Sequence, residues 1–342
     1  MSGMSTKAIE AERLTKTFAS GNKRVRAVRG LDVRVDPGEL VAFLGPNGAG
    51  KTTSLRLLTT LLPPTEGAAR VAGRDVRTEP AAVRHRIGYV GQMNSAGHNQ
   101  RVRDEIVMQG RFYGIDKNAA AQRADSLLES LELGWVANRM VSSLSGGQRR
   151  RLDIAMGLVH APSLLFLDEP STGLDPQSRA NLWRHILRLR EEYDTTVFMT
   201  THYLDEADQF AERVMVMDHG RVIADDTPSG LKANLIGERV VLEFDSHHEA
   251  ERALPHLREY GSATGFQAPV HHDRTVELPV PAAGSCLPKI VLALERAGVP
   301  ARSTETKRPT LDDVFFVLTG RTLRDTGVSA PTETSETEEE TP

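Results

Sequence analysis

Gly45-Pro46-Asn47-Gly48-Ala49-Gly50-Lys51-Thr52-Thr53 follows the apolar run Leu40-Val41-Ala42-Phe43-Leu44 without a break, and this junction decides the fold. The nonapeptide fits G-x-x-x-x-G-K-[ST], the phosphate-loop pattern. Glycines let the backbone turn so that several N–H groups face one anion. A helix opening at Lys51 adds the partial positive charge of its N-terminus. In this pattern Lys51 reaches the β- and γ-phosphates of a nucleoside triphosphate, and the Thr52 hydroxyl reaches Mg2+. A mere tight turn before a helix would need neither side chain. The helix is predicted over 51–62, with Pro63-Pro64 as its stop.

Outward from the loop, short apolar strands alternate with helical patterns from Ile9 to Gly230, which argues α/β architecture. Strands are predicted at 86–90, 163–167 and 195–200, and a hairpin turns at Asp218-His219-Gly220. Strand signals vanish between about Met93 and Ser143. There 102–113 and 118–131 have helical periodicity, as expected of a helical insert.

Leu164-Leu165-Phe166-Leu167 runs into Asp168-Glu169, an apolar strand ending in two carboxylates. A hard cation such as Mg2+ takes oxygen ligands and keeps several waters, which suits Asp168. Glu169 is placed to polarise a water for attack on the γ-phosphate. Upstream, Leu144-Ser145-Gly146-Gly147-Gln148 precedes a helix predicted over 149–158. A hydroxyl, flexible backbone and a helix N-terminus make a second anion site. One nucleotide does not need two such sites on one chain, so this one is expected to serve the nucleotide of another copy.

These motifs and their order resemble the ATP-binding cassette family over about Ile9 to Gly230. The series runs from Phe18 through the phosphate loop, Gln92 after a strand, and the signature Leu144 to Gln148. It continues through Asp168-Glu169 and Ser171-Thr172-Gly173-Leu174-Asp175 to His202 after another strand. The resemblance implies that Phe18 stacks on adenine and that residues Gly45 to Thr53 hold the phosphates of ATP. It implies Mg2+ at Thr52, Gln92 and Asp168, with Gln92 also touching the attacking water. His202 is implied to contact the γ-phosphate and Glu169, and Asp175 to lie at a dimer interface. Ser145, Gly146, Gly147 and Gln148 are implied to grip ATP across that interface. Catalysis would rest on Glu169, His202, Gln92 and Lys51. The expected fold is α/β: a P-loop NTPase cassette with a helical signature subdomain at about 93–150, plus a small C-terminal α+β domain.

That C-terminal domain is expected over 231–322, after an N-terminal tail at 1–8. Strands are predicted at 240–244 and 275–280, and helices at 246–258 and 284–297. A last helix is predicted from Pro309, with Thr310 as N-cap and Asp313 at N3. Its stripe of Leu311, Val314, Phe315 and Leu318 must be buried, in the small domain's own core or against another subunit. The segment Pro309 to Gly320 resembles the C-terminal extension of the daunorubicin-resistance type of exporter ATPase.

Residues 323–342 are predicted to be a disordered acidic tail. Five of the last ten residues are glutamate, against a net charge of −4 for the whole chain. The remainder is close to neutral, which gives no electrostatic case for nucleic acid. Met1 to Ala8 has no apolar run of the signal-peptide kind, and no stretch approaches the roughly 20 apolar residues that cross a bilayer. Cys286, the single cysteine, excludes an internal disulfide and a cysteine-built zinc site. The pairs His247-His248 and His271-His272 are read as solvated.

The resemblance therefore implies an ATP-hydrolysing subunit that dimerises around two ATP at the cytoplasmic face of the membrane. It would drive a separately encoded permease, exporting a hydrophobic drug or antibiotic, or alternatively a lipid or polysaccharide. Soluble cassette ATPases of translation or DNA typically carry two cassettes, a long coiled coil or zinc modules, and this sequence has none of these. A non-catalytic subunit would have lost Asp168, Glu169 or His202.

Overall fold

The computed structural model describes residues 7–20, 23–235, 238–264 and 268–320; the acidic tail lies outside them. The central sheet has six strands in the order Arg221–Asp226, Arg213–Asp218, Leu40–Leu44, Thr196–Thr201, Leu164–Asp168, Ile87–Val90. All neighbours are parallel except the Arg213–Asp218/Arg221–Asp226 hairpin. Every residue of Leu40–Leu44, Leu164–Asp168 and Thr196–Thr201 is buried, as expected of parallel strands covered on both faces. The hairpin turns on His219 and Gly220, with φ of 45° and 79°, the two positive values that a type I′ turn demands.

One face of this sheet packs against a four-stranded antiparallel sheet in the order Lys23–Val35, Ile9–Ser20, Glu66–Val71, Arg74–Asp75. Its alternation is legible in Leu31-Asp32-Val33-Arg34-Val35, but the sequence reading does not anticipate it. The N-terminal tail ends earlier than expected, because Ala8 is already buried and donates to Val35 O at 2.8 Å. The opposite face carries the helical insert, with helices Val102–Phe112 and Lys117–Ser130, and Trp183 of helix Pro176–Tyr193.

Two helix limits near the phosphate loop and the signature differ from expectation, and helix His247–Thr264 runs six residues past the expected 246–258. The phosphate-loop helix spans Lys51–Leu58, not 51–62. Thr60 takes φ 64° and Leu62 N–H returns to the Arg56 carbonyl at 2.9 Å, so the chain leaves the helix before the prolines. The signature helix spans Gly146–Leu158, three residues longer than expected at its start. The cap at Ser145 outweighs the poor helix propensity of two glycines.

The C-terminal part has a β-α-β-β-α-β order: Glu238–Glu243, His247–Thr264, Val270–His272, Thr275–Val280, Ala283–Arg296, Ser303–Lys307. Its antiparallel sheet has the order Val270–His272, Thr275–Val280, Glu238–Glu243, Ser303–Lys307, a ferredoxin-like arrangement with its own core. Neither expectation for the last stripe holds. Helix Leu311–Thr319 packs on helices Leu204–Phe210 and Pro228–Leu235 of the same chain. Leu311, Val314 and Phe315 are buried in the cluster that covers the main sheet.

Candidate functional site

The phosphate loop leaves the central strand Leu40–Leu44 and wraps close to the hairpin. A Cβ on Gly45 would lie 2.2 Å from the Met217 carbonyl oxygen, and one on Gly50, at φ 106°, would lie 2.5 Å from that of Ala27. Only glycine fits either place. Asn47 and Gly48 are exposed at the tip, while Pro46 and Ala49 are buried. Lys51 is buried beneath the loop and donates to the carbonyls of Gly45 (2.7 Å) and Pro46 (3.0 Å). Burial lowers the Lys51 pKa, and the nearby Glu169 charge opposes that effect. Thr53, next to Thr52 in the first helical turn, is half-buried.

Asp168 ends its strand among hydroxyls. Its Oδ1 accepts from Thr200 Oγ1 (2.7 Å) and Thr52 Oγ1 (3.1 Å). Its Oδ2 is buried with no hydrogen-bond partner among the described residues, and burial pushes the carboxyl up from its ordinary pKa. Gln92, exposed two residues past strand Ile87–Val90, donates from Nε2 to Thr52 Oγ1 at 3.3 Å. An orphaned carboxylate oxygen beside a threonine hydroxyl and an amide fits a hard divalent cation.

Glu169 sits at φ 47°, a costly conformation for a side-chain-bearing residue. Its N–H is held by Thr200 O (3.1 Å) and Thr200 Oγ1 (3.0 Å). Its carboxylate lies 3.6 Å from Lys51 Nζ and 3.3 Å from His202 Nδ1, the latter off the line of a hydrogen bond. Thr172 Oγ1 donates to it at 3.3 Å. The His202 ring first, and the Lys51 charge after it, hold this carboxyl below the ordinary range against the opposing effect of burial.

Lys51, Thr52, Gln92, Asp168, Glu169 and His202 thus converge at the C-terminal ends of the parallel strands, where open α/β sheets bind ligands. The other predicted residues stand apart. Ser145 caps its helix through a reciprocal box with Gln148 (Ser145 Oγ from Gln148 N, 3.3 Å; Gln148 Oε1 from Ser145 N, 2.9 Å). Ser145 and Gly146 are exposed, Gly147 and Gln148 half-buried. No hydrogen bond or ion pair among the described residues joins these four to the phosphate loop. Asp175 is an exposed cap of helix Pro176–Tyr193, accepting from Ser178 N (2.9 Å) and Ser178 Oγ (2.6 Å). Phe18, on strand Ile9–Ser20, is 41% exposed with Lys16 Nζ 5.4 Å from its ring centre.

Two contributors escape the sequence reading. Thr200 bridges Asp168 and Glu169, and Arg150 binds the backbone behind them. Arg150 acts on main-chain carbonyls, and Thr200 reaches the Asp168 carboxylate and the Glu169 N–H only through strand register, so neither leaves a sequence signal. The histidine pairs sit on the surface, where His247 and His271 stack at 5.0 Å and both contact the Asp273 carbonyl.

A family model described as ABC transporter matches residues 28–172. The chain is 41% identical over 334 residues to the daunorubicin/doxorubicin resistance ATP-binding protein DrrA of Streptomyces peucetius, across 95% of this chain and 96% of that protein. It belongs to the ABC transporter ATP-binding family. A Nod factor export ATP-binding protein I of Rhizobium sp. (strain N33) is 34% identical over 320 residues, covering 94% of this chain and 99% of the relative. Among solved structures, the dimeric post-hydrolysis state of the ATP-binding cassette MJ0796, bound to ADP and Pi, matches with TM-score 0.59 and 27% identity. That match covers 64% of this chain and 98% of that one. This ABC subunit binds ATP and hydrolyses it.

Proposed function

We propose that two copies of this subunit close around two ATP and drive a separate membrane permease that exports a hydrophobic drug or antibiotic. One observation carries the sandwich. The residues proposed for catalysis gather around the phosphate loop, yet the capped, exposed helix N-terminus at Ser145, of the kind that binds anions, makes no bond to that loop among the described residues. The MJ0796 cassette, solved as a dimer, supports the same assembly.

In this reading residues Gly45 to Thr53 cradle the phosphates, with Lys51 turning from its loop carbonyls to the β- and γ-phosphates. Phe18 stacks on adenine. Ser145, Gly146, Gly147 and Gln148 hold the γ-phosphate of the facing copy, with Asp175 at that interface. Thr52, Asp168 and Gln92 would hold Mg2+, which supplies charge neutralisation at the phosphates. Glu169, ionised by its neighbours, accepts a hydrogen bond from water and aims it at the γ-phosphorus. The new P–O bond forms as the bond to the ADP oxygen breaks, while the water's proton passes to Glu169 and from there to a phosphate oxygen. His202 braces Glu169 and meets the γ-phosphate.

No helix among the described residues is long and apolar enough to cross a membrane; in this reading the permease is a separate polypeptide. Between the helical insert and the core lies a cleft of about 310 Å³, lined by Tyr89, Tyr113 and Met156. Leu61 at its rim and the nearby Met108 and Phe112 are exposed. Apolar side chains around a cleft fit a permease segment at the cytoplasmic face of the membrane. The cargo assignment rests on the drug-resistance name of the 41% identical relative. A lipid or polysaccharide cargo is the second reading, kept by the Nod factor export relative.

The test is Glu169→Gln. It should bind ATP and dimerise on gel filtration while turnover falls by about 10²-fold or more. Near-normal steady-state hydrolysis would sink the assignment. For the permease, co-purification with the membrane protein encoded beside it and stimulation of ATPase activity by hydrophobic drugs are expected; stimulation by lipid or oligosaccharide alone would select the second reading.

A further inference from the structure

Arg150 lies one turn inside the signature helix and is 5% exposed. Its guanidinium donates from Nε to Pro170 O (2.6 Å), from Nη1 to Gly91 O (2.6 Å) and from Nη2 to Asp168 O (3.2 Å), with Glu169 O at 3.5 Å. Asp153, one turn further on, faces it at 3.9 Å and accepts from Ser95 N at 2.9 Å. The helix that carries Ser145 therefore grips both ends of the segment 91–95 that bears Gln92, and the backbone on both sides of Glu169.

The sheet explains why a cation is needed there. Strands Ile87–Val90 and Leu164–Asp168 are parallel neighbours in register, Val90 opposite Leu167. Their ladder ends at that pair, so the carbonyls of Gly91 and Asp168 take donors from elsewhere, and buried carbonyls do not go unpaired. A guanidinium has five N–H donors in a rigid fork and satisfies several at once. Glu169 is thereby pinned on both sides, by Thr200 at its N–H and by Arg150 beyond, which is how a residue at φ 47° is kept in place.

We propose that Arg150 is a positioning residue: it transmits the position of the signature-helix N-terminus to Gln92 and Glu169. Gripping of the facing nucleotide by Ser145 then aligns the water-handling groups of its own chain. The inference rests on the roles given above to Gln92 and Glu169. A displacement near 1 Å at a reacting group costs about 10²-fold in rate, so a small shift of this helix suffices to switch turnover.

The test compares full-length wild type, Arg150→Met, Arg150→Lys, Gln92→Ala and the Arg150→Met/Gln92→Ala double variant, by fluorescent ATP-analogue binding, kcat and KM. Arg150→Met should lower kcat by about ten- to a hundredfold, with KM and affinity within about twofold of wild type. Arg150→Lys, a point charge that reaches fewer carbonyls, should fall between the two. The double variant should be little slower than the slower single one, because both changes remove the same alignment. Wild-type kcat in both Arg150 variants, losses that multiply in the double variant, or a loss of KM and kcat in step with a lowered melting temperature would each overturn the proposal. If Arg150→Met does not fold, Arg150→Lys decides: reduced kcat at wild-type melting temperature and KM supports it, and full kcat overturns it. Normal hydrolysis by Gln92→Ala and Glu169→Gln would instead mark failure of the underlying site reading.

Discussion

Asp168 and Glu169 are adjacent in sequence, yet their surroundings push them in opposite directions. Burial raises Asp168, while His202 and Lys51 lower Glu169. Such a split separates roles between two carboxylates. Asp168, with a free buried oxygen, is suited to a cation. Glu169, kept ionised, is suited to accepting a hydrogen bond and then a proton from the attacking water. The Glu169 shift has a consequence for stability. A folded pKa below the unfolded one means that the ionised group stabilises the fold above its ordinary value of 4.5. That contribution fades as pH drops below the ordinary value and is gone once pH is under the folded pKa. The melting temperature of wild type should therefore fall relative to Glu169→Gln as pH goes from about 5.5 to about 3.5. Parallel curves would show that the carboxylate gains nothing from His202 and Lys51. Lys51→Ala should abolish both nucleotide binding and turnover, since the loop loses its one buried cation. Wild-type affinity in a fluorescent-nucleotide titration would refute the phosphate-loop reading.

At the scale of elements, the proposed recognition of ATP rests on helix N-termini. The phosphate loop and the Thr310–Asp313 box are contiguous strings whose chemistry follows from the residues themselves, and the structure contains both. The helix limits at Leu58 and Gly146 are not legible in the sequence, because backbone turning at Thr60 and capping at Ser145 outweigh propensity. Arg150 is not legible because its hydrogen-bond partners are main-chain groups, and Thr200 because only strand register brings its hydroxyl to the Asp168 carboxylate and the Glu169 N–H. The signature helix also yields a prediction about assembly. Ser145→Ala removes a cap worth about 1 kcal/mol, whereas Ser145→Arg puts a bulky cation at the proposed anion site of the facing copy. Ser145→Arg alone should be inactive while still binding ATP at its own loop. Mixed with inactive Lys51→Ala chains, it should regain activity, up to about a quarter of wild type for random pairing with independent sites. Mixtures that stay silent, or a fully active Ser145→Arg chain, would count against sites shared between two copies.

On the scale of the whole molecule, the C-terminal part is tied to the cassette at two points. Helix Pro228–Leu235 leads out and helix Leu311–Thr319 returns to pack on it and on Leu204–Phe210. Phe315 is fully buried there, and losing it alone should cost about 3–5 kcal/mol. A chain cut at Gly230 is therefore not a clean cassette, because it lacks Leu231 and the returning helix from the cluster that covers the main sheet. It should melt roughly 10 °C lower than the full chain, at about 2–4 °C per kcal/mol. A chain ending at Gly320 should melt with the full chain, since the acidic tail has little apolar area to bury. Replacing residues 236–308 by a short glycine-serine linker separates packing from any action of the small domain. Both docking helices stay, so the melting temperature should return to that of the full chain. If the small domain also holds two copies together, this linked chain should need a higher protein concentration to reach the same specific ATPase activity. Tethering raises effective concentration without changing the ATP site. Superimposed activity curves at equal stability would show that the domain does not tether its twin. A linked chain that melts as low as the Gly230-terminated one would show that the returning helix is not what the cassette needs.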